Sequence, residues 1–245
     1  ATSGAFRVIF AAPPCSTFSV SRLFRSLTEG RRGPPAVRTR KEIRGVKNVK
    51  AKHRRELNEA NAIVARTCSI LDAAIRSGTQ VAIENPADRG DRKYPRRFLS
   101  DEHGPLWKMP EIKALRKTAP MRTCTFPMCA FNAPWQKYTT LAFTPGLEAW
   151  LSQLNDLECT HGSHQKAVGG NLGEGAVSSA ESSAYPAEFN YYLAAAMCSL
   201  FRAHDAVNDV PLEEKKRPVP EKEATGAVPS ALPPKSAPTD HHTPK

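Results

Sequence analysis

The chain has 245 residues, a formal net charge of +11, 40% hydrophobic residues and a mean hydropathy of −0.46. This length suffices for one medium domain with appendages, and no apolar run approaches the roughly 20 residues that a membrane helix needs. Six scattered cysteines form no dense disulfide framework, and the N-terminus has no signal-peptide pattern. The sequence therefore predicts an intracellular protein, nuclear or cytoplasmic rather than secreted, without a membrane span. Because the chain begins with Ala1 rather than Met, we expect a processed or excised fragment.

Two short apolar runs and the long segment between them predict the first half of the fold. The predicted elements are a strand at residues 6–11, a helix at 58–77 and a strand at 79–84. Prolines stop both strands, and apolar residues recur at helical spacing before Gly78, a residue that suits the position after a helix end. Parallel strands need a long crossover of this kind, so these elements make half of a parallel α/β sheet.

A basic segment follows the first predicted strand. Residues 22–55 hold 13 Lys and Arg against 2 Glu, a balance of +11 that equals the net charge of the whole chain. Such density is typical of a surface that binds nucleic-acid phosphates, although a solvated loop or a disordered basic arm has the same composition. We predict that residues 16–55 form a DNA-contacting loop. The residues in it that are expected to contact DNA are Ser16, Ser19, Arg22, Arg25, Arg31, Arg32, Arg38, Arg40 and Lys41.

The remaining predicted elements complete an α/β fold with a mixed sheet. They are strands at 121–126 and 138–144, a short helix at 147–154 and a helix at 187–202, which Pro186 opens. Residues 169–184 are rich in Gly and Ser and predict a loop. Residues 205–245 are rich in proline and lack aromatics, so we expect a disordered tail after a folded region that spans 1–204.

The ends of the first two predicted strands carry the residues expected to do chemistry. Cys15 follows two prolines after the first strand, and Glu84 lies at the end of the second. Because ligands bind outside the carboxyl ends of the strands in an open parallel sheet, we expect the thiol and the carboxyl group to share one crevice. Basic neighbours should lower the pKa of the thiol, and partial burial should keep Glu84 protonated near neutral pH. The alternative is that Cys15 is a small core residue and that Glu84 and Asn85 cap a turn.

Three sequence segments carry a family resemblance. They are Pro-Pro-Cys-Ser-Thr-Phe-Ser at 13–19, Glu-Asn-Pro at 84–86 and Ala-Pro-Trp-Gln-Lys-Tyr-Thr-Thr at 133–140. In this order and spacing they resemble the C5-cytosine-specific DNA methyltransferase family, in the compact and divergent forms met in phage and mobile elements. A Cys/His stretch and a last helix opened by Tyr185-Pro186 follow in similar order, so the resemblance runs from about Phe6 to Phe201. It implies a partial Rossmann-like fold of the S-adenosylmethionine-dependent methyltransferases.

The resemblance implies a covalent mechanism of cytosine methylation in DNA. Cys15 would add to C6 of a cytosine flipped out of the duplex, while Glu84 binds the exocyclic amine and protonates N3. The activated C5 would then take a methyl group from S-adenosylmethionine. The residues beside the two catalytic groups would lie at the cofactor, namely Pro13, Pro14, Asn85 and Pro86. The residues expected near the base or the DNA in the second half are Arg122, Lys137 and Thr139.

The sequence departs from the family in its cofactor-binding part. The Phe-x-Gly-x-Gly loop that holds the methionine part of the cofactor normally lies several strands before Pro-Pro-Cys, whereas only fourteen residues precede Cys15 here. We therefore expect the cofactor-loop half to be missing and an upstream segment or a second chain to complete the site. The alternatives are a catalytically silent, mobile-element-derived module that binds nucleic acid, and a basic interaction protein with coincidental motifs. The order of the motifs argues against the second alternative.

Cysteine and histidine residues cluster in the second half of the sequence. The four that could supply the nitrogen and sulfur ligands of a tetrahedral zinc ion are Cys129, Cys159, His161 and His164. Their spacing is not that of a standard zinc finger, and two separated segments would have to converge. The sequence therefore favours ordinary buried cysteines and exposed histidines over a zinc site.

Overall fold

A four-stranded mixed sheet organises the fold in a computed structural model of the chain, which describes residues 6–23, 34–165, 167–168, 177–178 and 181–208. The strands lie in the order β1-β2-β4-β3, and their bounds are β1 Val8–Ala11, β2 Gln80–Pro86, β3 Arg122–Pro127 and β4 Tyr138–Phe143. β1 and β2 are parallel, and β4 runs antiparallel to both of its neighbours. The predicted α/β fold with a mixed sheet is confirmed, and the open sheet is compatible with a Rossmann-like arrangement.

The register of the strands determines which residues share an edge of the sheet. Val8 lies level with Gln80 and Ala11 level with Ile83, so that β1 and β2 end at the same edge. The antiparallel β4 begins at that edge, because its second residue, Thr139, lies level with Pro86. Residues that follow β1, end β2 and precede β4 are therefore brought together.

The crossover between β1 and β2 contains the longest helix of the described residues, α1 (Ala51–Arg76). It begins at Ala51 rather than at residue 58, so that Lys52, Arg54 and Arg55 lie on a helix and not in the predicted loop. Its apolar face, which includes Val64 and Leu71, is buried in a core shared with the sheet. Part of the basic charge of this segment therefore lies on the helix α1 rather than in a loop.

The other helices and short strands flank the sheet. The helices are α2 (Pro110–Thr118), α3 (Glu148–Leu151) and α4 (Ala187–Asn208), and the two-residue strands are β5 (Ala167–Val168) and β6 (Val177–Ser178). Short 3₁₀ turns span Val20–Leu23, Leu106–Lys108, Met128–Phe131, Pro145–Leu147, Ser152–Asp156 and Glu181–Ser183. In these parts of the chain every helix is too short or too polar to span a lipid bilayer.

The two faces of the sheet contact separate hydrophobic cores, because successive side chains of a strand point to opposite faces. Val81 and Ile83 of β2 lie in a core shared with α1 and α2. Ala82 lies in the second core, where Phe131 and Phe189 of α4 pack with ring centroids 5.3 Å apart. Glu84 follows the same alternation as Ala82 and therefore lies on the face covered by α4.

Several predicted boundaries are wrong. The helix α2 was not predicted, although its Pro110 occupies a first-turn position and Ile112 and Leu115 are buried. The last helix continues to Asn208, so its final turn belongs to the region predicted as a tail, and β6 lies within the predicted loop at 169–184. Phe201 is 39% exposed rather than in the apolar face of that helix. The rest of the predicted tail lies outside the described residues.

Two arginines of the predicted DNA-contacting loop are buried parts of the fold. Arg38 is 3% exposed; it donates to Thr17 Oγ1 at 3.1 Å and to the Asn61 side chain at 2.8 Å, and its guanidinium lies 4.0 Å from the ring centroid of Phe18. Arg22 is 6% exposed and forms an ion pair with Glu56. These side chains fix the turn after Cys15.

The prediction that Arg22 and Arg38 contact DNA is therefore wrong, because both side chains are enclosed and make internal hydrogen bonds. Burial, with a smaller contribution from the neighbouring charge of Arg22, lowers the pKa of Arg38 to about 10. Arg40 is partly buried and makes a two-pronged contact with Asp88. The predicted contacts Arg25, Arg31 and Arg32 lie outside the described residues.

Candidate active site

Cys15 lies at the sheet edge where β1 and β2 end. It is half-buried and opens a turn in which the Phe18 amide donates to its carbonyl oxygen at 2.9 Å. The Asn85 side chain, 0% exposed, donates to the carbonyl oxygen of Pro13 at 3.0 Å. This bond joins the end of β2 to the segment that carries the cysteine, so the two predicted motifs are in direct contact.

Glu84 lies beside the cysteine segment and is 3% exposed. Tyr185 donates its hydroxyl to Oε2 at 2.8 Å, whereas the buried Oε1 has no hydrogen-bond partner. Burial raises the pKa of Glu84, although the charge of Lys137 and the contact with Tyr185 lower it. The sequence predicted a raised pKa for Glu84, and a raised pKa favours the protonated carboxylic acid.

Lys137 and Thr139, two residues predicted near the cleft, do lie beside this pair. The Lys137 ammonium is 5.7 Å from the centroid of the Tyr185 ring, and its charge acts on both Cys15 and Glu84. Thr139 is 0% exposed and lies against the Glu84 carboxyl group. We call Cys15, Glu84, Lys137 and Tyr185 the thiol–acid cluster.

The predicted direction of the Cys15 pKa is wrong. Burial raises the pKa of the thiol and the charge of Glu84 raises it further, while Lys137 lowers it. The residues that follow Cys15 in sequence do not set its pKa, because Arg22 and Arg38 are engaged elsewhere. The cation that favours the thiolate comes instead from Lys137, directly before β4 and 122 residues after Cys15 in the chain.

Tyr185 was not predicted as a functional residue. The sequence marked it only as the residue before Pro186, at the opening of the last helix. In the structure its half-buried ring packs against Phe10, with centroids 6.3 Å apart, and against Phe189 at 5.4 Å. This packing holds the hydroxyl on the Glu84 carboxyl group, and burial raises the pKa of Tyr185, so it remains a hydrogen-bond donor.

Several other predicted site residues have structural or separate positions. Asn85, Pro13 and Pro86 are buried within the fold, and Pro14 is exposed. The Ser16 hydroxyl donates to Glu56, and the Ser19 hydroxyl contacts that of Ser21. The exposed Lys41 remains available to a ligand.

Arg122 is not brought to the thiol–acid cluster. It lies level with Ala82, two residues further from the carboxyl edge than Glu84, and its guanidinium donates to Glu148 at 3.2 Å. Arg122 therefore does not lie near the expected base site, because its ion pair with Glu148 holds it on the exposed surface away from the edge that carries Glu84.

The four Cys and His residues singled out from the sequence do converge. Their ligand atoms, one from each of Cys129, Cys159, His161 and His164, all lie within 4.8 Å of one another. Cys159 Sγ is 3.4 Å from His164 Nε2, and burial together with the neighbouring Cys159 thiol raises the pKa of Cys129 to about 12. The two separated segments that a shared metal site requires are therefore brought together in the structure.

No family model matches the chain, and no curated protein and no solved structure matches it either. The class that the fold itself defines is an α/β protein with an open mixed sheet. Its activity has to be inferred from the thiol–acid cluster and the surface around it.

The thiol–acid cluster makes a testable prediction about the reactivity of Cys15. Because burial and Glu84 raise the pKa of the thiol, alkylation of Cys15 by iodoacetamide at pH 7–8 should be slower than that of the exposed Cys198 and should rise toward alkaline pH. Lys137→Met should slow alkylation at a given pH, and Glu84→Gln should accelerate it at pH values where the Glu84 carboxyl group is ionised. Peptide mass spectrometry measures both rates.

Exposed Cys198 is the internal control in each sample. Equal alkylation of Cys15 in the wild type and in both variants, or changes in the same direction in both variants, would contradict the described electrostatics.

Proposed function

We propose that this chain carries the base-activating half of a C5-cytosine DNA methyltransferase, in which Cys15 adds to the base and Glu84 protonates it. The observation that carries the proposal is the buried Glu84, whose Oε1 lacks a partner, in the same cluster as a half-buried thiol. A buried polar atom without a partner is costly, so a ligand that pairs with it gains binding energy.

A protonated Glu84 complements the edge of cytosine. The carboxylic acid can donate a proton to ring N3, and its other oxygen can accept from the exocyclic amine. Tyr185 already donates to Oε2 and orients the group. The raised pKa of Glu84 favours the acid form that this contact requires.

The addition step needs only electrons and a proton that Cys15, Glu84 and the base themselves supply. The Cys15 thiolate gives an electron pair to C6 and forms the S–C6 bond, while the C5–C6 π electrons form a C4–C5 double bond. The C4–N3 π electrons move to N3, which takes the proton of Glu84. C5 then has the electron density of an enamine and is nucleophilic.

Lys137 supports the formation of the nucleophile. Because burial raises the pKa of Cys15, formation of the thiolate costs free energy, and the positive charge of Lys137 offsets part of this cost. The thiol proton leaves to solvent through the exposed side of the residue. Lys137 thus activates the thiol without taking its proton.

Base flipping is part of the proposal because C5 and C6 are stacked inside a duplex. Extrusion of the base costs a few kcal/mol, which contacts to the flipped base and the phosphates offset. Cys15 and Glu84 lie at the edge where β1 and β2 end, and because Glu84 is 3% exposed, binding of a base requires the groups that cover its carboxyl to move aside. Only an extruded base could reach both groups together.

The residues do not fit a complete site for S-adenosylmethionine. The sequence contains no Phe-x-Gly-x-Gly segment, and the glycine-rich stretch that follows β5 lies outside the described residues. Asn85 and Pro13, which were expected at the cofactor, are buried and bonded to each other. The proposal therefore ends at base activation, and another segment or chain would have to supply the methyl donor.

Exposed basic residues at the end of the crossover support a DNA partner. Lys47, Lys52 and Arg55 are exposed, and α1 has no acidic residue in its first turn. Positive charges at a helix N-terminus are unfavourable because the macrodipole is positive there. DNA phosphates would offset this cost, which makes the start of α1 the favoured contact surface.

The second candidate function is a silent nucleic-acid-binding module, which the missing cofactor loop favours. Both functions require DNA binding through the basic surface. They differ in base chemistry, because only the first requires Cys15 to form a bond with cytosine.

Base activation predicts that the C5 hydrogen of cytosine exchanges with water without any methyl donor. After addition, C5 takes a proton from water and loses its original hydrogen as the thiolate leaves. DNA tritiated at C5 of cytosine should therefore release tritium with the wild-type chain. Cys15→Ser should abolish the release, and Glu84→Gln should slow it by about 10²–10⁴-fold. Cys198→Ser, at an exposed thiol, is the matched control and should have no effect.

Equal release by the wild type and Cys15→Ser would exclude the cysteine from the reaction. Wild-type protein that binds the DNA and releases no tritium would contradict base activation and favour the silent module.

The basic surface predicts salt-dependent DNA binding. Replacement of Lys47, Lys52 and Arg55 by Gln should weaken binding to duplex DNA and flatten the plot of log affinity against log salt by about 0.9 for each lost phosphate contact. Arg66→Gln is the control, because Arg66 is exposed on the same helix about 20 Å from Lys52. Fluorescence anisotropy measures the slope. An unchanged slope in the triple variant, or an equal change with Arg66→Gln, would exclude this surface.

A further inference from the structure

We infer that Cys129, Cys159, His161 and His164 bind one zinc ion that fixes the turn between β3 and β4. This inference does not depend on the proposed function, because it rests on a separate cluster of side chains. All four candidate ligand atoms lie within 4.8 Å of one another.

The distances agree with a tetrahedral zinc site. Zinc bonds of about 2.3 Å to sulfur and about 2.0–2.1 Å to nitrogen give ligand-to-ligand distances of about 3.4–3.8 Å in a tetrahedron. Cys159 Sγ and His164 Nε2 are already 3.4 Å apart. Since no ligand pair exceeds 4.8 Å, metal binding requires any pair of ligand atoms to approach by about 1.4 Å at most.

The donor set selects the metal and the kind of site. Two thiolates and two imidazoles suit zinc, whereas magnesium and calcium prefer oxygen ligands. Four protein ligands fill the tetrahedral positions and leave none for water or substrate, which is the pattern of a structural site. We therefore assign the ion a role in folding rather than in catalysis.

The position of the cluster explains what the ion would hold together. Cys129 is buried in the 3₁₀ turn that follows β3, and the other three ligands lie on residues 159–164. These residues form neither helix nor strand and are mostly exposed, so apolar burial does little to fix them. Beyond the ligands, the Gln165 amide donates to the Pro134 carbonyl at 2.8 Å and joins the same two segments.

The turn fixed by the ion leads directly into the thiol–acid cluster. The amide of Met128 donates to the carbonyl oxygen of Lys137 at 2.8 Å, and Asn132 adopts φ 62° within the turn. An ion bound by Cys129 would therefore lie at the turn between β3 and β4 and would support the backbone from which Lys137 projects.

Metal analysis of the purified chain tests the inference. The full chain, expressed with zinc and purified in reducing buffer, should contain about one zinc per molecule by plasma mass spectrometry, and a chelator should lower its melting temperature. Cobalt(II) added to the zinc-free chain should give the visible spectrum of a tetrahedral thiolate site. A Cys129–Cys159 disulfide without zinc, seen as a loss of two hydrogens in the intact mass, would overturn the inference.

Variants assign the ligands. Cys159→Ser and His164→Asn should each lose zinc, whereas Cys198→Ser and His53→Asn, which lie outside the cluster, should keep it. A pair of substitutions at His161 distinguishes the loss of a ligand from misfolding. His161→Cys replaces one zinc ligand by another and should retain the ion, whereas His161→Asn removes the ligand and should lose it. Zinc-free, folded wild-type protein, or equal zinc in Cys159→Ser and the wild type, would contradict the site.

Discussion

The parallel pairing of β1 with β2 is the constraint on which the rest of the structure depends. It requires a long crossover, it buries β2 between two cores, and it ends both strands at one edge. Asn85 then bonds to Pro13 and joins the two motifs at that edge. Because Glu84 lies near the end of β2 on the face covered by α4, it is buried beside Tyr185, and burial raises its pKa above that of an ordinary carboxyl group. The chemical character of the site is thus a consequence of strand pairing.

The basic residues of the crossover divide into two groups with different roles. Arg22 and Arg38 are enclosed and tie the turn after Cys15 to α1, so their charge is used within the fold. Exposed cations at the end of the crossover and on the first turns of α1 remain available to a polyanion. A second support comes from the β3–β4 turn, where the inferred zinc ion would hold the segment that leads to Lys137. With the inferred zinc ion bound, the cluster would be held from both of its sides by interactions that lie outside it.

The strands could be predicted because apolar runs and prolines are local signals. The edge shared by Cys15 and Glu84 could be predicted because the carboxyl ends of parallel strands always meet at one edge. The start of α1 could not, because Lys52, Arg54 and Arg55 conceal its helical pattern. The burial of Arg38 had no sequence signal, since its partners Thr17 and Asn61 come from separate segments. The pKa of Cys15 was predicted in the wrong direction for a related reason: its neighbours in space differ from its neighbours in sequence.

The central claim is that the Cys15 sulfur and the Glu84 acid act on the same pyrimidine. The most direct measurement is mass-spectrometric mapping of the covalent adduct formed with duplex DNA that contains 5-azacytosine, whose C6 is more electrophilic than that of cytosine. The account predicts an adduct on the peptide that contains Cys15, with much less adduct in Glu84→Gln. An adduct on another cysteine, or equal adduct in that variant, would contradict it.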